Sequence, residues 1–137
     1  MANDETLHAR IEDLFEDWNR ALQTCDPKAV AALYSKDATL EPTLSNIVRD
    51  TPEAIEDYFT HFLMHKPRGK IIQRKIRVYD RVAINSGVYC FELTDNGETR
   101  SVMGRFTFVY LNEGDDWKII EHHSSLMPEG DSPLDPA

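Results

Sequence analysis

The sequence predicts a cone-shaped α+β protein in which a curved antiparallel sheet wraps around a long N-terminal helix. Apolar residues recur at helical spacing in the first half of the chain, whereas four β-rich segments follow Lys70, at about 70–79, 82–94, 98–110 and 116–126. The joints between these segments are too short for anything but antiparallel neighbours. A sheet of such long strands curls, and only the helices are available to fill its concave side. The open end of the cone then forms a natural pocket, the lumen.

The first helix is predicted from one apolar stripe at helical spacing. Acidic residues lie mostly off this stripe, where water solvates them, and Asn3 or Asp4 is expected to cap the helix. The members of the stripe are Leu7, Ile11, Leu14, Phe15, Trp18 and Leu22.

A second, short helix is expected after Asp26-Pro27, which combine a capping residue with a proline at the first helical position. We expect Lys36-Asp37 to end this helix and a brief strand to follow at 38–41. The predicted buried side of the helix consists of Val30, Leu33 and Tyr34.

A third helix is predicted to begin at Thr51-Pro52, where the pattern of cap and proline returns. Pro67 prevents the helix from extending further, because proline lacks the amide hydrogen that a helix interior requires. The apolar face of this helix comprises Ile55, Tyr58, Phe59, Phe62 and Leu63.

The composition limits the classes of function. The 137 residues suit one domain, predicted over residues 1–127, with residues 128–137 as a flexible tail. The 24 acidic residues outnumber the 15 basic ones, and the net charge of −9 argues against a nucleic-acid partner. No apolar run is long enough for a membrane span, and the acidic start is unlike a signal peptide. We therefore expect a cytoplasmic protein in which Cys25 and Cys90 stay unpaired.

Five segments carry a resemblance to a known family. They are TLEP at 39–42, NIV at 46–48, YF at 58–59, RFTFVY at 105–110 and WKIIEHHSS at 117–125. Together they resemble the association (hub) domain of calcium/calmodulin-dependent protein kinase II, most closely the free-standing bacterial members. The resemblance covers nearly the whole chain, without a kinase region.

The resemblance implies the nuclear transport factor 2-like cone, a cystatin-like α+β roll that also houses SnoaL-type polyketide cyclases and ketosteroid isomerases. It also implies that the protein forms homo-oligomers. Its fold does not imply one chemistry, because binding modules, scaffolds and enzymes share it. The kinase hub has a cavity lined by arginines, and the matching positions here are Tyr89, Phe108 and Ser124. This departure argues against the hub's carboxylate-binding pocket in this protein.

The pair His122-His123 should place one imidazole in the lumen, because side chains alternate across a strand. The register that the resemblance implies turns His122 and Ser124 inward. An inward histidine can bind a ligand or move a proton near neutral pH, while a hydrogen-bonded structural role is the commoner alternative. The candidate ligand-binding residues are Trp18, Tyr34, Tyr89, Phe108, His122 and Ser124.

The outer face of the sheet is predicted to carry His123, Glu121 and apolar residues, and to form a subunit interface. Arg105 on the neighbouring strand should pair with Glu121 or His123, or bind an anion. The apolar residues expected on this face are Trp117, Ile119 and Val109.

Three further features can each be interpreted as either structural or functional. Asp37 and Glu41 are the acids expected near the pocket mouth, where an acid–base enzyme needs a carboxylate, yet such acids are commonly solvated. His61 and His65 share a helix face, but no acid or cysteine at ligand spacing supports a metal site. Seven basic residues between positions 66 and 81 suit an acidic partner or an edge strand protected by charge.

These features favour a homo-oligomeric small-molecule-binding module without metal or organic cofactor, whose partners are its own copies and a small organic ligand. The alternative is an isomerase, cyclase or hydratase that uses His122 with Tyr89 or Tyr34 in the lumen. A third hypothesis is a scaffold that meets a protein partner through the basic segment 66–81.

Overall fold

The structure is a computed structural model that describes residues 4–114 and 116–131. It contains three α-helices and one five-stranded sheet, which confirms the predicted α+β class. The helices are α1 (Asp4–Gln23), α2 (Pro27–Ala31) and α3 (Pro52–Phe62), followed by a 3-10 turn at Leu63–His65. The strands are β1 (Tyr34–Glu41), β2 (Arg68–Tyr79), β3 (Val82–Asp95), β4 (Glu98–Asn112) and β5 (Trp117–Leu126).

Helix α1 fills the concave side of the sheet, as its apolar stripe predicts. The stripe is buried from Ile11 onward. The ring centroids of Phe15 and Trp18 lie 6.2 and 5.3 Å from that of Phe108 on β4, so α1 packs directly on the sheet. The expected cap residue Asn3 and the side chain of Asp4 lie outside the described part of the chain.

Helix α2 begins where predicted but ends early. The side chain of Asp26 accepts a hydrogen bond from the amide of Lys28 at 3.0 Å, so the predicted cap is present. The prediction that Tyr34 belongs to this helix, and that Lys36-Asp37 ends it, is wrong, since β1 already begins at Tyr34. The cause is tertiary: β1 pairs with β5, a partner that local periodicity cannot reveal.

Helix α3 follows the predicted pattern. The hydroxyl of Thr51 accepts a hydrogen bond from the amide of Ala54 at 3.1 Å, and Pro52 occupies the first turn. The helix passes into the 3-10 turn, after which Lys66 adopts a left-handed conformation with φ 49°. Pro67 follows immediately, so the predicted stop is confirmed.

The strands are ordered β1-β5-β4-β3-β2. The predicted antiparallel meander of β2 to β5 is confirmed. Its central hairpin turns at Asn96 and Gly97, with φ angles of 52° and 80°, as a type I′ turn requires. Strand β1 joins the far edge by pairing parallel to β5, which the sequence did not predict. Strand β2, which carries much of the basic segment, is the opposite edge.

The prediction that Ile119 faces outward is wrong, because Ile119 is only 2% exposed and belongs to the core. Glu121 pairs with Val109, whereas Ile119 pairs with the next residue of β4, Tyr110, so Ile120 is an extra residue in β5. Such a bulge reverses the alternation of side chains between the two faces. Trp117, also expected outside, is half-buried and packs against the core.

After β5 the chain turns at Pro128, and the amide of Met103 donates to the carboxylate of Asp131 at 3.0 Å. Residues 132–137, the remainder of the predicted tail, lie outside the described residues. Among the helices that the structure describes, none combines the length and the hydropathy that crossing a membrane requires.

Candidate functional site

A hollow of about 40 Å³ lies in the lumen between α1, α3 and the concave face of the sheet. This volume accommodates roughly three water-sized groups. Its walls include the aromatic rings of Trp18, Phe59 and Phe91, together with Thr43 and Leu44 of the loop after β1. The sheet is therefore curved around a largely filled interior in which a small pocket remains.

His122 lies at the wall of this hollow and is 3% exposed. The hydroxyl oxygen of Tyr34 lies 2.8 Å from its Nδ1 atom, and that of Tyr89 lies 3.3 Å from its Nε2 atom. Its ring stacks on Phe108, with centroids 4.0 Å apart, and meets the edge of Trp18 at 5.4 Å. Four of the six predicted lumen residues therefore surround the imidazole of a fifth, His122.

The hydrogen bonds around His122 form a chain with one direction. The indole nitrogen of Trp18 donates to Tyr34 at 3.2 Å, and the hydroxyl of Tyr89 donates to Ser124 at 2.5 Å. The single hydroxyl hydrogen of Tyr89 is used in this bond, so the hydroxyl oxygen of Tyr89 accepts from Nε2–H of His122. A neutral imidazole carries one N–H, and Nδ1 of His122 therefore accepts from Tyr34. Ser124, the sixth predicted residue, ends the chain with Thr43, to which its hydroxyl is hydrogen-bonded.

The site is uncharged. Burial lowers the pKa of His122 to about 3, with a smaller contribution from the charge of His123, so His122 is neutral at neutral pH. Burial also raises the pKa of Tyr34 and of Tyr89 well above the ordinary value for tyrosine. No aspartate, glutamate, lysine or arginine occurs among the described residues that line the hollow. The arrangement can hold a polar group by hydrogen bonding but offers no carboxylate for acid–base work.

The two acids predicted near the pocket mouth do not line it. Alternation along β1 turns Ala38 and Leu40 into the core, so the acids that flank them lie on the other face. Asp37 is exposed, and the carboxylate of Glu41 is hydrogen-bonded to Nδ1 of His123 at 3.1 Å. The prediction of a lumen carboxylate from Asp37 or Glu41 is therefore wrong.

The outer face carries a second concavity, the outer groove, lined by Glu41, Arg105, Thr107, Glu121, His123 and Ser125, with a volume of about 430 Å³. Burial, and next the neighbouring carboxylate of Glu41, raise the pKa of Glu121 to about 7. Arg105 is exposed and makes no ion pair with any residue that the structure describes, so its predicted pairing with Glu121 or His123 is wrong. The register is the cause, since Arg105 stands opposite Ser125.

The histidines of α3 have separate partners. Nδ1 of His61 lies 2.9 Å from the carbonyl of Asp57, and Nδ1 of His65 is hydrogen-bonded to the carboxylate of Asp95 at 2.6 Å. Within residues 4–114 and 116–131, no group of three or more histidine, cysteine and acidic side chains is placed to hold a metal.

Thr43 is a polar lumen residue that the sequence did not single out. It lies in the loop after β1, whose base is closed by two backbone hydrogen bonds between Leu40 and Arg49, of 2.8 and 2.9 Å. Its position depends on this closure and on Ser124 of β5, and no local motif marks it. The local signal for a loop at this position is the neighbouring Pro42, which follows the last residue of β1.

The comparisons with known proteins agree with this architecture. The family model of the calcium/calmodulin dependent protein kinase II association domain matches residues 8–128. A solved structure from Xanthomonas campestris, assigned to that association domain, is 49% identical, with 88% of this chain and 87% of that chain covered and a TM-score of 0.86. A search of curated proteins gave no match.

More distant structures share the fold. A nuclear transport factor 2-like superfamily protein from Salmonella enterica is 18% identical, with 98% of this chain and 99% of that chain covered and a TM-score of 0.79. An NTF2-like protein with a cystatin-like fold from Novosphingobium aromaticivorans is 12% identical, covering 96% and 94%, with a TM-score of 0.72. The chain therefore belongs to the calcium/calmodulin-dependent protein kinase II association-domain family, within the nuclear transport factor 2-like fold.

Proposed function

We propose that the protein is a homo-oligomeric module that binds a small organic molecule in its lumen. The observation that carries the binding half is the buried His122, held by Tyr34 and Tyr89 at the wall of a hollow. A polar chain in an aromatic interior gives orientation to a ligand, while the surrounding rings supply most of the contact area.

A non-catalytic role is favoured by the charge of the lumen. Isomerases and cyclases that work by acid–base chemistry need a group whose pKa lies near the working pH. The pKa of His122 is about 3, and no carboxylate is present among the described lining residues to assist it.

The assembly half rests on the family and on the outer face of the sheet. Val109 and Ile84 pair across β3 and β4 and alternate with core residues, so both side chains lie on the outer face. Arg105, four residues from Val109 along β4, makes no ion pair with any residue that the structure describes. A second copy would cover the apolar residues and supply Arg105 with an acid, as a two-fold interface allows.

The binding half is tested by screening small organic molecules with ligand-observed NMR. Val102 on β4 lines the hollow, whereas the adjacent Met103 pairs with Cys90 on the outer face. We expect Val102→Trp to fill the hollow and remove binding, and Met103→Trp to leave it unchanged. Equal binding by both variants would contradict a lumen site.

The assembly half is tested by sedimentation at micromolar concentrations. We expect the protein to sediment as a dimer or larger ring, and Val109→Asp to shift it toward monomers without unfolding it. Thr60→Asp, on the exposed side of α3, is the matched control and should sediment like the parent. A parent protein that sediments only as a monomer would refute assembly.

A further inference from the structure

We infer that the lumen selects an uncharged molecule that carries a hydrogen-bond acceptor, and that it discriminates against carboxylates. This inference rests on the proposed ligand-binding function and names the class of ligand. Two independent observations support it: the charge of the lining residues, and the two hydroxyls of Ser124 and Thr43 that line the hollow.

The lining supplies no counter-ion for an anion. Its described residues include no lysine or arginine. The cation next to the wall is Arg49, whose guanidinium carbon lies 5.9 Å from the centroid of the Tyr58 ring. Arg49 does not line the hollow: its Nη1 donates to the carboxylate of Asp57 at 2.8 Å and to the carbonyl of Ala54 at 3.1 Å, while its buried Nε has no partner among the residues that the structure describes. A carboxylate in the hollow would therefore lose its water without gaining a cation.

The chain ends in two hydroxyls that line the hollow and can donate to a ligand, those of Ser124 and Thr43. Tyr89 donates to Ser124, and one hydrogen joins Ser124 to Thr43. Ser124 and Thr43 together bring two hydroxyl hydrogens, of which their mutual bond uses one. When Thr43 donates, the hydrogen of Ser124 can point to a ligand; when Ser124 donates, the hydrogen of Thr43 can point either to a ligand or to the hydroxyl oxygen of Tyr89, with which Thr43 is also hydrogen-bonded. A ligand with a carbonyl, ether or hydroxyl oxygen can accept this hydrogen.

The remaining walls suit a compact apolar body. Rings of Trp18, Phe59, Phe62 and Phe91 line the hollow, and its volume of about 40 Å³ limits the buried part of the ligand to a few heavy atoms. The ligand class is therefore a small neutral carbonyl or hydroxyl compound, with any larger portion extending toward Leu44, which is 51% exposed.

The charge requirement is tested with isosteric pairs at pH 7: acetamide against acetate, and benzamide against benzoate. Dissociation constants are measured by ligand-observed NMR, with the Val102→Trp and Met103→Trp variants reporting whether binding occurs in the lumen. We expect each amide to bind at least about tenfold more tightly than its carboxylate, because burying an unpaired charge is costly. A carboxylate that binds in the lumen as tightly as its amide would overturn the inference.

The acceptor requirement is tested with acetophenone against α-methylstyrene, which replaces the carbonyl oxygen by a CH₂ group of similar shape. We expect the ketone to bind about three- to tenfold more tightly, as one neutral hydrogen bond allows. Equal affinity would overturn this part of the inference. If no compound of any pair binds in the lumen, the proposed binding function itself fails. That outcome is distinct from binding with the wrong preference.

Discussion

The hydroxyl oxygen of Tyr34 on β1 lies 2.8 Å from Nδ1 of His122 on β5, across a separation of 88 residues. The two strands are neighbours because β1 pairs parallel to β5, with Leu40 opposite His122. The same pairing brings the loop after β1, and with it Thr43, to Ser124. The polar wall of the lumen thus depends on the parallel pairing of β1 with β5, which lies outside the antiparallel meander of β2 to β5.

His122→Ala is expected to destabilise the protein by about 2–4 kcal/mol. The substitution removes a buried ring stacked on Phe108 and leaves Tyr34 without its acceptor. Urea unfolding measures the change in free energy. His123→Ala is the control, since His123 is exposed and its pair with Glu41 is worth at most about 1 kcal/mol. Equal effects of the two substitutions would contradict the structure.

The pH dependence of stability should also report on His122. Its pKa is about 3 in the folded protein and near 6.5 in the unfolded chain. Between these values only the unfolded chain binds the proton, so the contribution is fully present above pH 6.5 and is lost as the pH falls toward 3. The expected slope is about 1.4 kcal/mol per pH unit. Unfolding in urea from pH 7 to pH 4 should show this slope in the parent and a shallower one in His122→Gln. Equal slopes would count against a buried neutral imidazole.

Glu121 should act in the opposite direction. Its pKa is raised from 4.5 to about 7, so the folded protein holds the proton more tightly than the unfolded chain does. Its contribution to stability is therefore present below pH 4.5 and is lost as the pH rises through 7. Glu121→Gln should gain more stability over the parent at pH 8 than at pH 5, measured by thermal unfolding. Glu92→Gln, an exposed acid on β3, controls for the loss of one surface charge. A gain that is the same at both pH values would refute the pairing with Glu41.

Two glycines should respond differently to alanine. A Cβ atom at Gly87 would lie 1.9 Å from the carbonyl oxygen of Gln73, so Gly87→Ala must displace the backbone of β2. We expect a loss of more than about 3 kcal/mol, or failure to fold. At Gly97 the space is empty, and only the positive φ of 80° opposes alanine, at a cost of about 1 kcal/mol. Denaturant midpoints of the two variants test this order, and the reverse order would contradict the β2–β3 register.

The sequence predicted the elements with strong local signals. The stripe from Ile11 to Leu22, the caps at Asp26 and Thr51 and the turn at Asn96-Gly97 each depend on neighbouring residues alone, and each is present. The periodicity of the strands suggested a curled sheet, and the family resemblance completed the prediction of a cone.

The errors concern long-range pairing. Tyr34 was expected on a helix because its spacing from Val30 and Leu33 fits a helix. Nothing local indicates that the backbone pairs with β5 at this point. Ile119 was expected outside because a bulge of one residue at Ile120 leaves no mark in the alternation of apolar residues. Arg105 was expected to be paired because an unpaired buried arginine is costly, but it is exposed and stands opposite Ser125, two positions from His123 and four from Glu121. The role of the lumen residues remains a prediction.

The central claim is that His122 is a buried, neutral imidazole tied to both tyrosines. The most direct test is an NMR titration of the imidazole nitrogens of His122, assigned by comparison with His122→Gln. We predict an Nε2–H tautomer that stays neutral from pH 8 to pH 5, as the donation from Nε2 to Tyr89 and a pKa near 3 require. Protonation of His122 near pH 6.5, or an Nδ1–H tautomer, would contradict the account.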